Sequence, residues 1–221
     1  MKKINVAIDG PAGAGKSSIS KAVAAKLGCI YVDTGAMYRC VTLYALEKGV
    51  DCQNDEEVCK LLPEVNIELC IGGKVLLNGK DVTFDIRTQP VVDNVSYIAA
   101  NKGVRLFLVE LQRAMAKDVS IVMDGRDIGT YVLPNADVKI FQIADVKERA
   151  KRRYLENISK GIECTLEAVK KDLERRDYID SHREFAPLCK ASDAIEVDTS
   201  FLTIEESINK IVGIIKEKVG I

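Results

Sequence analysis

Apolar residues fall along this chain in blocks whose period changes several times. Residues 4–8 form a short, nearly unbroken apolar run, as in a strand buried on both faces. After a glycine-rich stretch, Ile19, Val23, Ala24 and Leu27 recur at helical spacing, with Ser18, Ser20, Lys21 and Lys26 off that face. A second apolar run at 29–32 precedes a helix predicted from about 37 to 48 and closed by Gly49. A short helix over 54–62 takes Asn54 as its N-cap. Between 65 and 87 the period drops towards two. Runs at 66–71 and 74–77, with Gly72-Gly73 between and Asn78-Gly79 after, predict a tight hairpin, and 81–83 adds a third short strand.

Helical spacing returns over 90–117, with a break predicted near 101–103. Strands follow at 119–123, 138–143 and 194–198, separated by strongly charged helices at 145–158 and 165–176, and a helix over 204–219 closes the chain. This alternation predicts an α/β fold: a mainly five-stranded parallel sheet with helices on both faces, in three layers, interrupted by a small antiparallel insertion. Ligands of such sheets lie beyond the strand C-terminal ends. The loop at Gly10, residues 33–39 and residues 124–127 all fall there.

The 221 residues, 47% of them hydrophobic, suit a single compact domain. A net charge of −1 supplies no overall basic field for nucleic acid, no polybasic run suggests a membrane surface, and 5% aromatics without Trp leave few base-stacking platforms. Seven cysteines without a C-x-x-C pair and one histidine, His182, support neither a zinc site nor a disulfide framework. The first apolar stretch ends at Asp9, so neither signal peptide nor spanning segment is expected, and the pattern points to a reduced cytoplasmic protein, taken as a monomer.

The chemistry starts in the glycine-rich stretch. Gly10, Pro11, Ala12, Gly13, Ala14, Gly15, Lys16 and Ser17 match G-x-x-x-x-G-K-[ST] without a substitution, between a strand and a helix as the motif requires. Its glycines let backbone N–H groups turn inward at a helix N-terminus that already favours an anion. Lys16 would reach the β- and γ-phosphates of a nucleoside triphosphate, the Ser17 hydroxyl would ligate Mg²⁺, and Ser18 completes the nucleotide-binding stretch. A phosphate loop alone does not separate hydrolase from kinase. No N-K-x-D segment is present to read guanine, and Asp124 is followed by Gly, not by the Glu of a motor ATPase.

Arginines stand out instead: Arg39, Arg126, Arg152, Arg153, Arg176 and Arg183. Several guanidiniums near one triphosphate imply a second anion to clamp or transition-state charge to stabilise. Arg176, Asp180 and Arg183, spaced i, i+4, i+7, share one face if their helix continues that far, and a solvated surface network fits them as well as function does. Arg149, Arg152 and Arg153 equally suit a basic solvent-facing helix. D-G-R-D at 124–127 is more pointed, because such a cluster straight after an apolar strand is costly unless it meets a ligand or a turn.

With D-T-G-A-M-Y-R at 33–39, I-R-T-Q at 86–89, D-G-R-D-I-G-T at 124–130 and A-P-L at 186–188 beside the phosphate loop, the whole chain resembles the bacterial cytidylate kinases. That resemblance implies the P-loop NTPase fold and ATP-dependent phosphorylation of CMP or dCMP. It implies a core at 1–33, 119–144 and 166–221, an acceptor-binding region with the β insertion at about 34–118, and a helical lid at about 145–165. It places Thr34, Arg39, Arg126 and Arg183 on the acceptor nucleotide, the arginines chiefly at its phosphate. Ser96, Arg105 and Asp127 would read the cytosine ring, and Arg176 and Asp180 would lie near the pentose. Arg149, Arg152 and Arg153 fall in the lid, where the family's arginines reach the transferring group. Lys16, Arg126, Arg152, Arg153 and Arg183 would thus carry catalysis, with Ser17 on the metal. A P-loop kinase of another small-molecule acceptor, or a nucleotide-binding switch without an acceptor, are the alternatives.

Overall fold

The computed structural model describes residues 3–70, 72–159 and 161–221. In chain order it has β1 (Asn5–Asp9), α1 (Lys16–Leu27), β2 (Ile30–Asp33), α2 (Thr34–Glu47) and α3 (Asp55–Leu61). Three short strands follow, β3 (Ile67–Leu69), β4 (Val75–Leu77) and β5 (Lys80–Asp81), then α4 (Gln89–Ala100) and α5 (Lys102–Met115). The remainder is β6 (Ile121–Gly125), β7 (Val138–Ile143), α6 (Val146–Ser159), α7 (Leu166–His182), β8 (Ile195–Asp198) and α8 (Ile204–Val219). The chain divides into two compact units, one of Met1–Tyr31 with Val119–Ile221 and one of Val32–Asp118.

In the first unit the sheet order is β2-β6-β1-β7-β8, and β1 pairs in parallel with both β6 and β7. A central strand has no solvent face, which is why Val6, Ala7 and Ile8 are fully buried and read as a continuous apolar run. α1 sends Ile19, Val23 and Ala24 into that core, and α8 sends Ile208, Ile211 and Ile215. Each such Val or Ile side chain taken out of water contributes about 1.5–3 kcal/mol. Register places Asp9 beside Gly125 on one side and Phe141 on the other, so the phosphate loop and the segment after β6 leave the same edge of the sheet.

The second unit has its own core, in which α2, α4 and α5 pack with the apolar side of the small antiparallel sheet through Met37, Val41, Ile98, Leu108, Val75 and Leu77. Asn78 and Gly79 both take positive φ (50° and 81°), the geometry that turns β4 back on β5. Of the first hairpin strand predicted over 66–71, Ile67–Leu69 is strand, and Ile71 lies outside the described residues, as does Lys160 of the expected lid stretch.

Strand limits shift by a residue or two, the one expected over 119–123 spanning Ile121–Gly125, and three larger departures bear on the site. The helix expected from about 37 starts at Thr34, because the Asp33 side chain accepts the Ala36 N–H and caps it. The helix expected to stop near 176 runs to His182, with Arg183 as its C-cap. After β6 the chain winds through a single π turn over Ile128–Val132, closed by Leu133 N–H on Ile128 C=O at 2.7 Å, where no element was expected. Among the described residues, no helix is long and apolar enough to cross a membrane.

Candidate active site

The loop from Gly10 to Gly15 turns on backbone only glycine tolerates. Gly10 has φ 152°, and a Cβ there would sit 1.9 Å from the Gln142 carbonyl oxygen. Gly15 (φ 84°) caps α1 in the left-handed region, and α1 opens with Lys16, Ser17 and Ser18. The Lys16 ammonium donates to the carbonyls of Gly10 and Pro11, both at 2.7 Å. Gln142, buried on β7, donates through Nε2 to Ala14 C=O at 2.6 Å. Arg149 and Asp177 hold Ala12. Burial pushes the Lys16 ammonium well below its ordinary value and Arg126 pushes it further, against Asp124, Asp9 and Asp180. One lysine thus lies in the combined field of Arg126, Asp124, Asp9 and Asp180.

Ser17 Oγ donates to Asp124 Oδ2 at 2.9 Å, and Tyr31 donates to Asp124 Oδ1 at 2.8 Å. Next in sequence, Arg126 donates through Nε to Asp180 Oδ2 at 2.7 Å. Arg183 stands 3.8 Å from Asp180 Oδ1 and 3.5 Å from Asp127 Oδ1, and its guanidinium is fixed by two bonds to Ala186 C=O. The A-P-L segment therefore holds Arg183, Ala186 taking positive φ (47°) to present that carbonyl. Burial alone would raise the Asp180 carboxyl, but Arg126 and then Arg183 outweigh it and hold the group below the carboxylate range. Arg176, on the same helix, is pushed down to about 10 by burial and next by Arg126, and its Nε is buried without a hydrogen-bond partner. So the extension of α7 to His182 brings Arg176, Asp180 and Arg183 to Arg126 and Asp127.

Arg152 and Arg153, expected to reach the transferring group, bond to other partners here, although the charge of Arg153 still acts on Arg176. Arg152 donates to the carbonyls of Thr199 and Ser200, each at 2.8 Å, and Arg153 pairs with Glu156 at 3.3 Å. In the second unit, Arg39 pairs with Asp33 at 3.1 Å, and Arg87 approaches the same carboxylate at 3.7 Å. A Cβ on Gly35 would lie 3.0 Å from Arg39 Nη1, so the glycine of D-T-G-A makes room for that guanidinium. Thr34, Ser96 and Arg105 are buried, Arg105 donating to Ala99 C=O at 3.0 Å and lying 5.3 Å from the Tyr38 ring centre. His182 is exposed and stacks on Tyr178 at 4.0 Å.

A model of the family described as cytidylate kinase matches residues 6–217. The chain belongs to the cytidylate kinase family. Among relatives, the cytidylate kinase of Geobacillus sp. (strain WCH70) is 52% identical over 98% of this chain and 98% of its own. That of Ligilactobacillus salivarius (strain UCC118) is 51% identical over 99% of each. A solved structure of an uncharacterized protein from Eubacterium ventriosum ATCC 27560 covers 98% of this chain and 99% of its own at TM-score 0.53 and 14% identity, a likeness of fold alone.

One residue of this cytidylate kinase family chain that motif reading passed over is Asp9. It closes β1, is 4% exposed, and accepts the N–H groups of Ile128 and Gly129 at 2.8 and 2.7 Å, so it anchors the π turn to the start of the phosphate loop. The signal that could have found it is a carboxylate ending an apolar strand. Burial raises this carboxyl to about 7 despite those two bonds. Between the ordinary carboxylate value and about 7, the folded protein keeps a proton that the unfolded chain has released. Stability from this group is therefore complete below about pH 4, falls as pH rises to about 7, and is flat above. Denaturant titrations at pH 4.5, 6 and 7.5 should show the wild type losing about 1–3 kcal/mol relative to Asp9→Asn across the series. A constant difference between the two proteins would show that Asp9 ionises normally.

Proposed function

We propose that this protein transfers the γ-phosphoryl group of ATP to CMP or dCMP, producing ADP and CDP or dCDP. The observation that carries the assignment is the Arg126–Asp180–Arg183 cluster, built at the same edge of the sheet as a complete phosphate loop, in a chain of this family. Arginines already fixed by carbonyls and carboxylates offer an incoming phosphate donors that need no reorganisation. The buried Nε atoms of Arg176 and Arg39, which have no hydrogen-bond partner, are donors suited to a nucleotide.

The acceptor phosphate has a second pKa of about 6, so its attacking oxygen is anionic near neutral pH and no general base is required. That agrees with a lone histidine exposed on α7. Lys16 would exchange its two loop carbonyls for the phosphates, and the arginines would offset the repulsion between two anionic nucleotides. The site fits Mg²⁺: the Ser17 hydroxyl would be its protein ligand and Asp124, 2.9 Å from that hydroxyl, would orient it, with phosphate oxygens completing a hard oxygen set. When bound, Mg²⁺ would supply positive charge against the negative charge that develops during transfer. Asp33, the carboxylate that ends β2, is engaged instead by the Ala36 N–H and by Arg39 and Arg87.

By resemblance, Thr34 and Arg39 hold the acceptor phosphate with Arg126 and Arg183, while Ser96, Arg105 and Asp127 read the base and Arg176 and Asp180 hold the pentose. The Val32–Asp118 unit is then the acceptor-binding region, and 145–165 is a lid whose Arg152 and Arg153 change partners on closure. The reading is of a cytoplasmic monomer, and a net charge of −1 supplies no overall basic field to recruit nucleic acid or a membrane surface. ADP release measured with CMP, dCMP, UMP, AMP, GMP and shikimate tests the assignment. Cytidine nucleotides should be preferred; equal rates with every acceptor, or turnover indifferent to CMP, would refute it. Asp127→Ala should cut the CMP-over-UMP preference in kcat/KM about tenfold while lowering kcat at saturating CMP less. Equal losses on every base would remove Asp127 from the base-reading set.

A further inference from the structure

We propose that Arg149 and Asp177 are positioning residues of the phosphate loop, an ion pair that grips both backbone groups of Ala12 and shapes the loop for the donor triphosphate. Asp177, on α7, accepts the Ala12 N–H on Oδ1 at 2.9 Å. Arg149, on α6, donates through Nη1 to Ala12 C=O at 2.7 Å and to Asp177 Oδ2 at 2.6 Å, while its Nε donates to Ala144 C=O at 2.9 Å. Arg149 is 6% exposed and Ala12 is 1% exposed, so this is a built contact and not a surface pair. Ala12 packs in one apolar cluster with Ala150, Val169 and Leu173, and a Cβ on Gly13 would meet the Leu173 side chain at 3.1 Å. The loop's apex therefore rests on the α6–α7 pair through apolar and charged contacts alike.

Two consequences concern the donor nucleotide. The Ala12 N–H points at Asp177, so the anion-facing N–H groups of the loop start beyond it. And Asp177 puts a carboxylate against a loop that must receive a triphosphate. Asp177 is only half-buried, with 22% of its side chain exposed, and Arg149 is the counter-charge that makes it tolerable there, because without it the carboxylate would repel the incoming phosphates. Removing Arg149 is then worse for ATP than neutralising Asp177, and neutralising both restores part of what removing Arg149 loses.

The inference rests on the phosphoryl-transfer reading for what the loop binds, so two readouts are needed. Wild-type ADP release with CMP reports on that reading alone. KM values for ATP and CMP, with ATP affinity measured without acceptor by displacement of a fluorescent ATP analogue, report on the clamp whatever the acceptor proves to be. Arg149→Met should weaken ATP about 30-fold and Asp177→Asn about three- to tenfold, with KM for CMP within about twofold. The double variant should bind ATP more tightly than Arg149→Met. Parallel losses for ATP and CMP, unchanged ATP affinity, or a double variant weaker than Arg149→Met would each overturn it. Should Arg149→Met not fold, the ATP-to-CMP ratio of Asp177→Asn decides alone: a selective loss for ATP supports the clamp, and a parallel loss or none overturns it.

Discussion

Lys16→Met is expected to lower kcat for phosphoryl transfer about 10²–10³-fold while CMP still binds within about threefold of wild type. The asymmetry follows from what the ammonium touches. Its bonds run to Gly10 and Pro11 carbonyls inside the loop, and Arg126, proposed for the acceptor phosphate, repels it instead of depending on it. Methionine keeps the buried aliphatic stem and removes a charge that burial already disfavours, so the fold should melt within about 5 °C of wild type. Calorimetric titration with CMP, beside single-turnover ADP formation, separates the two losses. If CMP binding disappears with transfer in a protein that still melts normally, Lys16 belongs to the acceptor site and the donor and acceptor sites are not separate.

Much of this architecture is legible in the chain because its elements are short and punctuated. Residues 204–219 form the closing helix as spaced, Asn54 caps the short helix as its position suggests, and the break expected near 101–103 falls at Asn101 between α4 and α5. What escapes is what depends on distant partners. A carboxylate ending an apolar strand singles out Asp9, but nothing local names its partner, a turn about 120 residues away, or makes Asp177 the acceptor for Ala12. The reach of α7 to His182 is hard to read because its sequence there is charged on nearly every side, and only Leu173 and Val169 give it a buried apolar stripe. Continuing it is what turns an ambiguous Arg176–Asp180–Arg183 spacing into a cluster around Arg126. For Arg152 and Arg153 residue type fits a phosphate or a solvent-facing helix equally, and their guanidiniums here meet carbonyls and a neighbouring Glu.

The cluster's central carboxylate makes the sharper test. Asp180 is 4% exposed, holds Arg126 at 2.7 Å, and lies against Arg183 with Arg176 nearby. Asp180→Asn keeps the shape but leaves buried guanidiniums facing an amide, and one loss of a buried counter-charge costs about 3–5 kcal/mol. The same excess of positive charge should draw an anion in. Without ligand, then, the variant should unfold at markedly lower urea, and inorganic phosphate at tens of millimolar should stabilise it more than it stabilises the wild type, about 1 kcal/mol or more against a smaller shift. Turnover would not share that rescue. Phosphate would only fill the proposed acceptor-phosphate position, whereas the pentose contact proposed for Asp180 would be gone, so kcat/KM for CMP should stay down about 100-fold. A variant as stable as wild type without anions, or one that phosphate stabilises no more than wild type, would show that these arginines are balanced elsewhere and that Asp180 is not the pivot of the acceptor site.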